Sequence, residues 1–118
     1  MIIGIGIDLV DLARFESAVT RTPKLIDRLF TETEREANLI SLAGKFAAKE
    51  AFVKALGGAD GMHWHDVEIA KRSSGAPYLV VTGETLEVAR AAGIVSFHVS
   101  ISHDGGKAVS LVVAEGGE

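Results

Sequence analysis

The chain has 118 residues, a formal net charge of −4, 47 % apolar and 6 % aromatic residues, and no cysteine. That length supports one compact domain, spanning 1–118, with a modest core that Ile, Val, Leu and Ala must build. The lack of thiols excludes disulfides, thiolate nucleophiles and cysteine-based metal sites, and the acidic balance argues against a general nucleic-acid binder. Residues 1–7 (MIIGIGI) are β-branched and short, and predict a strand. Alternation puts Ile3, Ile5 and Ile7 on one face and Gly4, Gly6 and Asp8 on the other, where the glycines let something approach the backbone closely. Residues 9–21 then predict a helix with an apolar stripe of Leu9, Leu12, Phe15 and Val19, ended by Pro23.

A second helical stretch covers 24–30. In the TETEREAN segment, Thr31 or Thr33 is placed to cap a short charged helix, with Glu34 or Glu36 as the capping-box partner. The strongest helix is 41–56, rich in Ala, Leu, Lys and Glu and stopped by Gly57-Gly58. Strands follow at 66–71, with Val67 and Ile69 inward, and at 78–81 after an SSGAP turn. A short helix at 85–92 leads to a strand at 97–102, a DGG turn and a returning strand at 108–114. The terminal EGGE is expected to fray. The class is α+β, with an antiparallel sheet packed against helices. No apolar run approaches the ~20 residues needed to cross a membrane. Met1 leads into Ile2 with no basic stretch, so no secretory leader is expected and a cytoplasmic location is.

Two features carry chemistry. Asp8 sits where the first strand is expected to end, suiting it to cap the following helix or to hold a hard divalent ion, since a carboxylate has lone pairs for both. GIGID is not a dinucleotide fingerprint, because the third glycine of that motif would fall at Leu9. On the 41–56 helix, one half of the wheel carries Ala47, Ala48, Ala51, Phe52, Ala55 and Leu56. The other half carries Lys45, Lys49, Glu50 and Lys54, with Phe46 and Val53 among them. An apolar ring among charges predicts a half-buried face, set against a cleft or another subunit. Glu50 and Lys54 also have the spacing of a helical surface ion pair. His63 and His65, one residue apart, would point oppositely on a strand and chelate poorly.

Asp8 within GIGIDLVDLARF, and Phe46, Lys49, Glu50, Ala51 and Lys54 within FAAKEAFVK, make the chain resemble the holo-acyl-carrier-protein synthases, a type of phosphopantetheinyl transferase. The likeness continues through DVEIAKRSSGAPY to His103 and covers nearly the whole chain. It implies the 4′-phosphopantetheinyl transferase fold and transfer of phosphopantetheine from coenzyme A to a serine of an apo-acyl-carrier protein, in support of fatty acid biosynthesis. It further implies Mg²⁺ held by Asp8 and Glu50, phosphate contacts from Lys45, Lys49 and Lys54, and Gly57, Pro77 and His103 near the coenzyme. Lys54 would stabilise the leaving phosphate; the general base stays open between Glu50, Asp8 and a metal-bound hydroxide. Arg14, Arg21, Lys24 and Arg28 would receive the acidic carrier protein. A homotrimer with active sites between subunits is implied, which would account for Phe46 and Val53. Two departures stand out. The stretch between Phe30 and Gly44 is short, so the helix leading into FAAKE is expected to be truncated. Lys45 replaces a common arginine, giving a point charge for a planar fork.

Overall fold

In the computed structural model, which describes residues 1–117, the first strand does not stop at Ile7. It continues as β1 (Ile2–Asp11) because β5 (Lys107–Gly116) pairs with its whole length, from Ile2 opposite Glu115 to Asp11 opposite Lys107. β4 (Ile94–Asp104) lies along the other edge of β5, so the main antiparallel sheet has the order β1-β5-β4. β2 (Val67–Lys71) and β3 (Pro77–Val81) form a separate hairpin. Helices α1 (Leu12–Arg21), α2 (Lys24–Leu29), α3 (Leu39–Leu56) and α4 (Gly83–Ala91) complete the expected α+β architecture.

Lengthening β1 moves the first helix boundary. Asp11, not Asp8, caps α1: its Oδ2 accepts from the Arg14 backbone N–H at 2.9 Å. Asp8 stays in the strand, and Leu9 leaves the expected helical stripe for the sheet's outer face, where it is 64 % exposed. Ile5 and Ile7 share that face and are also more than half exposed. The rest of the stripe behaves as expected: Phe15 is buried, and Leu12 and Val19 pack against the same core. Glu115 and Gly116, expected to fray, belong to β5, and the Gly116 N–H donates to the Met1 carbonyl at 2.7 Å. Glu118 lies outside the described residues.

Helix α3 organises the molecule. The Asn38 side chain caps its start, accepting from the Ser41 N–H at 2.9 Å, and Gly57 ends it with φ of 101°. The helix begins two residues before the expected start. It lies directly on β1, where a Cβ on Gly4 or Gly6 would collide with the carbonyls of Ala55 and Ala51. The open glycine face is thus filled by the chain's own helix. One flank of α3 buries Ala48, Ala51, Phe52 and Ala55 against the hairpin, α4 and β5. Its N-terminal half buries Leu42, Ala43 and Ala47 against Val10, Phe15, Leu29 and Phe30. Phe46 needs no second subunit to explain it. It stacks on Phe15 with ring centroids 5.7 Å apart and meets Trp64 at 6.3 Å.

The capping box forms between Thr31 and Glu34. The Thr31 N–H donates to Glu34 Oε1 at 2.9 Å, and the Glu34 N–H donates to Thr31 Oγ1 at 3.3 Å. Glu34 is buried, and its other oxygen accepts from the Ile69 N–H at 2.8 Å. Its ion-pair partner is Lys49, at 2.6 Å and fully buried. Lys49 also donates to the carbonyls of Leu29 at 2.7 Å and Trp64 at 3.1 Å. All three ammonium protons are thereby used inside the fold, which removes Lys49 from the expected phosphate contacts and makes it a strut joining α2, α3 and the Trp64 turn. Lys49→Met strands the Glu34 carboxylate in the core. It is expected to cost about 3 kcal/mol in urea unfolding.

Candidate active site

The site grows from the meeting of β1 and α3. Asp8 is opposite Ser110 in the ladder and so faces inward, toward α3. Asp8 and Glu50 both line one pocket of about 550 Å³, together with Arg14, Phe46, Asp11 and Lys107. The two acids that lie far apart in sequence are therefore brought together. Burial pushes the Glu50 carboxyl above its ordinary value of 4.5, the Asp8 charge adds to the rise, and Lys54 opposes it. The helical pair expected between Glu50 and Lys54 does not form. Lys54 instead reaches back to β1, donating to the Ile7 carbonyl at 2.8 Å and pairing with Asp8 Oδ1 at 3.2 Å. Among the described residues Glu50 has no salt bridge, and no group of three or more His, Asp or Glu side chains is arranged to hold a metal.

Two members of this pocket, Asp11 and Lys107, had no motif to mark them. They face each other on the last rung of β1 and β5, where their side chains form an ion pair. This pair and the cap to Arg14 hold Asp11 below the usual carboxylate range, the bond from Lys107 being the larger cause. The signal was the strand length: once β1 runs to Asp11, the DGG turn puts Lys107 opposite it. Arg14, expected to serve the carrier surface, also borders the acids. Arg21, Lys24 and Arg28 are exposed on α1 and α2.

Three of the residues expected near the coenzyme converge elsewhere. Lys45, Pro77 and His103 line a second pocket of about 450 Å³, with Lys71, Ser41 and Gly75. Lys45 and Glu50 are separated by about 140° around α3, and the two pockets share no residue. Lys45 donates to the Ile69 carbonyl at 2.8 Å, and burial lowers its pKa. Gly57 lines neither pocket; it is exposed at the end of α3, three residues beyond Lys54.

Known proteins give this arrangement its context. Residues 4–111 match the model of the 4′-phosphopantetheinyl transferase superfamily. The holo-[acyl-carrier-protein] synthase of Beutenbergia cavernae is 53 % identical over 115 residues, covering 98 % of this chain and 99 % of that protein. A crystal structure of the Helicobacter pylori synthase in complex with coenzyme A is 36 % identical, with a TM-score of 0.84 over 94 % of this chain and 99 % of that one. The Neisseria meningitidis synthase is 29 % identical, with a TM-score of 0.90 over 98 % and 99 % of the two chains. With strand-borne and helix-borne acids sharing one pocket and full-length likeness at this level, the chain belongs to the holo-[acyl-carrier-protein] synthases of the 4′-phosphopantetheinyl transferase superfamily.

Proposed function

We propose that this chain transfers 4′-phosphopantetheine from coenzyme A to a serine of an apo-acyl-carrier protein, with Mg²⁺ held at Asp8 and Glu50. The observation that carries this reading is the shared pocket of those two carboxylates. The donor set fits the ion: Mg²⁺ takes one or two carboxylates and completes its shell with water and substrate phosphate. Burial first and the Asp8 charge second raise the Glu50 pKa, and a divalent cation between the acids would offset both. When bound, the ion would neutralise charge on the pyrophosphate oxygens. The serine oxygen forms a bond to the β-phosphorus as the bond to adenosine 3′,5′-bisphosphate breaks, and the hydroxyl proton passes to a base. Such transfers need positioning and charge neutralisation more than covalent help. Lys54, tied to Asp8 and to the β1 backbone, holds a positive charge beside the acids. Arg14 adds another on the pocket wall.

Assembly of copies of this chain belongs to the same reading. The coenzyme-side residues Lys45, Pro77 and His103 and the acids lie in different pockets, so a neighbouring copy that sets one pocket beside the other completes a site from two chains. The outer face of the main sheet, with Ile5, Ile7, Leu9 and Leu111 exposed, supplies apolar surface for that contact. A homotrimer with sites between subunits accommodates both facts.

Arg14, Arg21, Lys24 and Arg28 form the docking surface for the carrier in this reading. They are four exposed cations on α1 and α2 in a chain of net −4. Opposite charge there steers an acidic partner and sets its orientation. Arg21→Ala is expected to raise KM for the carrier about three- to tenfold and to flatten its salt dependence, with coenzyme A affinity unchanged. Equal loss of both affinities would remove this surface from the proposal. The reaction itself is tested by mass spectrometry of an apo-carrier incubated with coenzyme A, Mg²⁺ and this protein. The carrier should gain one phosphopantetheine, and EDTA should abolish the gain. A complex that forms without transfer would make the protein a binding module instead.

A further inference from the structure

Helix α2 has six residues and no side-chain cap at its start, and so is too short to keep its form unaided. Leu29 is buried, and Leu25 and Ile26 pack on the same core, which fixes one face. The C-terminal end is held in another way. A helix leaves its last carbonyls without partners inside the helix, and here side chains from three other segments take them. Arg35 Nε donates to the Phe30 carbonyl at 3.2 Å, and its Nη2 donates to the Asp27 carbonyl at 3.3 Å. His65 Nε2 lies 2.6 Å from the same Asp27 carbonyl and must donate, because a carbonyl only accepts. Lys49 takes the Leu29 carbonyl.

Arg35 owes its place to the residue before it. The Thr31–Glu34 box closes a tight turn, in which the Arg35 N–H donates to the Thr31 carbonyl at 3.1 Å. Glu34 then turns inward to Lys49, and Arg35 turns back to the end of α2. Its planar fork spans two acceptors, which a single ammonium point charge matches poorly. The added ion pair with the exposed Asp27 carboxylate, at 3.5 Å, contributes little. Arg35 lines neither pocket. The helix it braces, however, carries Lys24 and Arg28, exposed and four residues apart on one face.

We propose that Arg35 is a positioning residue for carrier docking: by bridging the Asp27 and Phe30 carbonyls, with His65 beside it, it holds α2 where Lys24 and Arg28 meet the acidic carrier. The inference rests on the docking surface assigned above. A helix already held in place loses less freedom when the carrier binds.

Steady-state kinetics of carrier modification, with titration calorimetry of coenzyme A as a check on the fold, tests it. Arg35→Ala should raise KM for the carrier about three- to tenfold, with kcat and coenzyme A affinity unchanged. Amide hydrogen exchange at residues 28–30 should quicken in the same variant. Arg35→Lys should recover only part of the loss. The double variant Arg28→Ala/Arg35→Ala should fall short of the product of the two single effects, because one acts through the other. Full recovery by lysine, a double effect equal to that product, or an unchanged KM in Arg35→Ala would each overturn the bracing role and leave the docking surface standing. Should neither Lys24→Ala nor Arg28→Ala move the carrier KM, docking through α2 falls, and the role of Arg35 falls with it.

Discussion

Glu50→Gln is expected to lower phosphopantetheine transfer by at least about 10²–10³-fold while the protein stays folded. The amide keeps the size of the side chain, but it removes the charge that a cation needs. Glu50 has no salt bridge to lose among the described residues, so unfolding in urea should move little. If anything the variant gains slightly, because the carboxylate is half-buried and faces the like charge of Asp8. The pH dependence has a definite sign. A carboxyl raised above 4.5 in the folded state contributes stability that is fully present below 4.5 and is lost as the pH rises through the folded value. Cation binding demands the charged form, so it strengthens over that same window. The thermal shift produced by Mg²⁺ with coenzyme A should therefore grow as the pH rises above 4.5, and be absent in Glu50→Gln. A Gln variant that retains both the shift and the activity would remove Glu50 from the site.

Gly6→Ala should produce the largest loss of stability, about 4 kcal/mol or more in urea unfolding. A single methyl there meets the Ala51 carbonyl, which is part of a helix backbone and has no rotamer by which to step aside. The helix must lift from β1 or the strand must bow. Either movement separates Asp8, carried by β1, from Glu50 on α3, so activity should fall along with stability. Gly106→Ala is the control. Unlike Gly6 it has positive φ, at 76°, and nothing lies within 4 Å of its added carbon, so its cost should be only the backbone strain of about 1 kcal/mol. Similar losses for the two variants would show that close packing of α3 on β1 is not the cause.

Much of this was legible in the residues because local signals agreed. The helix Leu39–Leu56 has strong formers, a capping asparagine and a terminating glycine pair, and it emerged almost whole. The Thr31–Glu34 box was likewise readable, since both partners lie within one turn. What local signals did not reveal was set by contacts distant in sequence. Asp8 looks like the end of a strand until β5 is known to be long enough to pair beyond it. Lys49 looks like a surface or phosphate-binding lysine until Glu34 is folded beneath it. Glycines at 4 and 6 announced a close approach, but a helix and a ligand demand the same missing side chain. The convergence of Asp8 with Glu50 was carried by family resemblance; the residues that complete their pocket, Asp11 and Lys107, needed the hairpin register.

The two faces of β1 carry opposite duties at neighbouring positions. Gly4, Gly6 and Asp8 meet the helix, while Ile5, Ile7 and Leu9 look outward. Inserting or deleting one residue within this stretch would exchange the faces wholesale. Isoleucines would be driven against a helix that admits only hydrogen, and the acid would be turned out of its pocket. The opening of the chain can drift by substitution, yet its reading frame of in and out is locked.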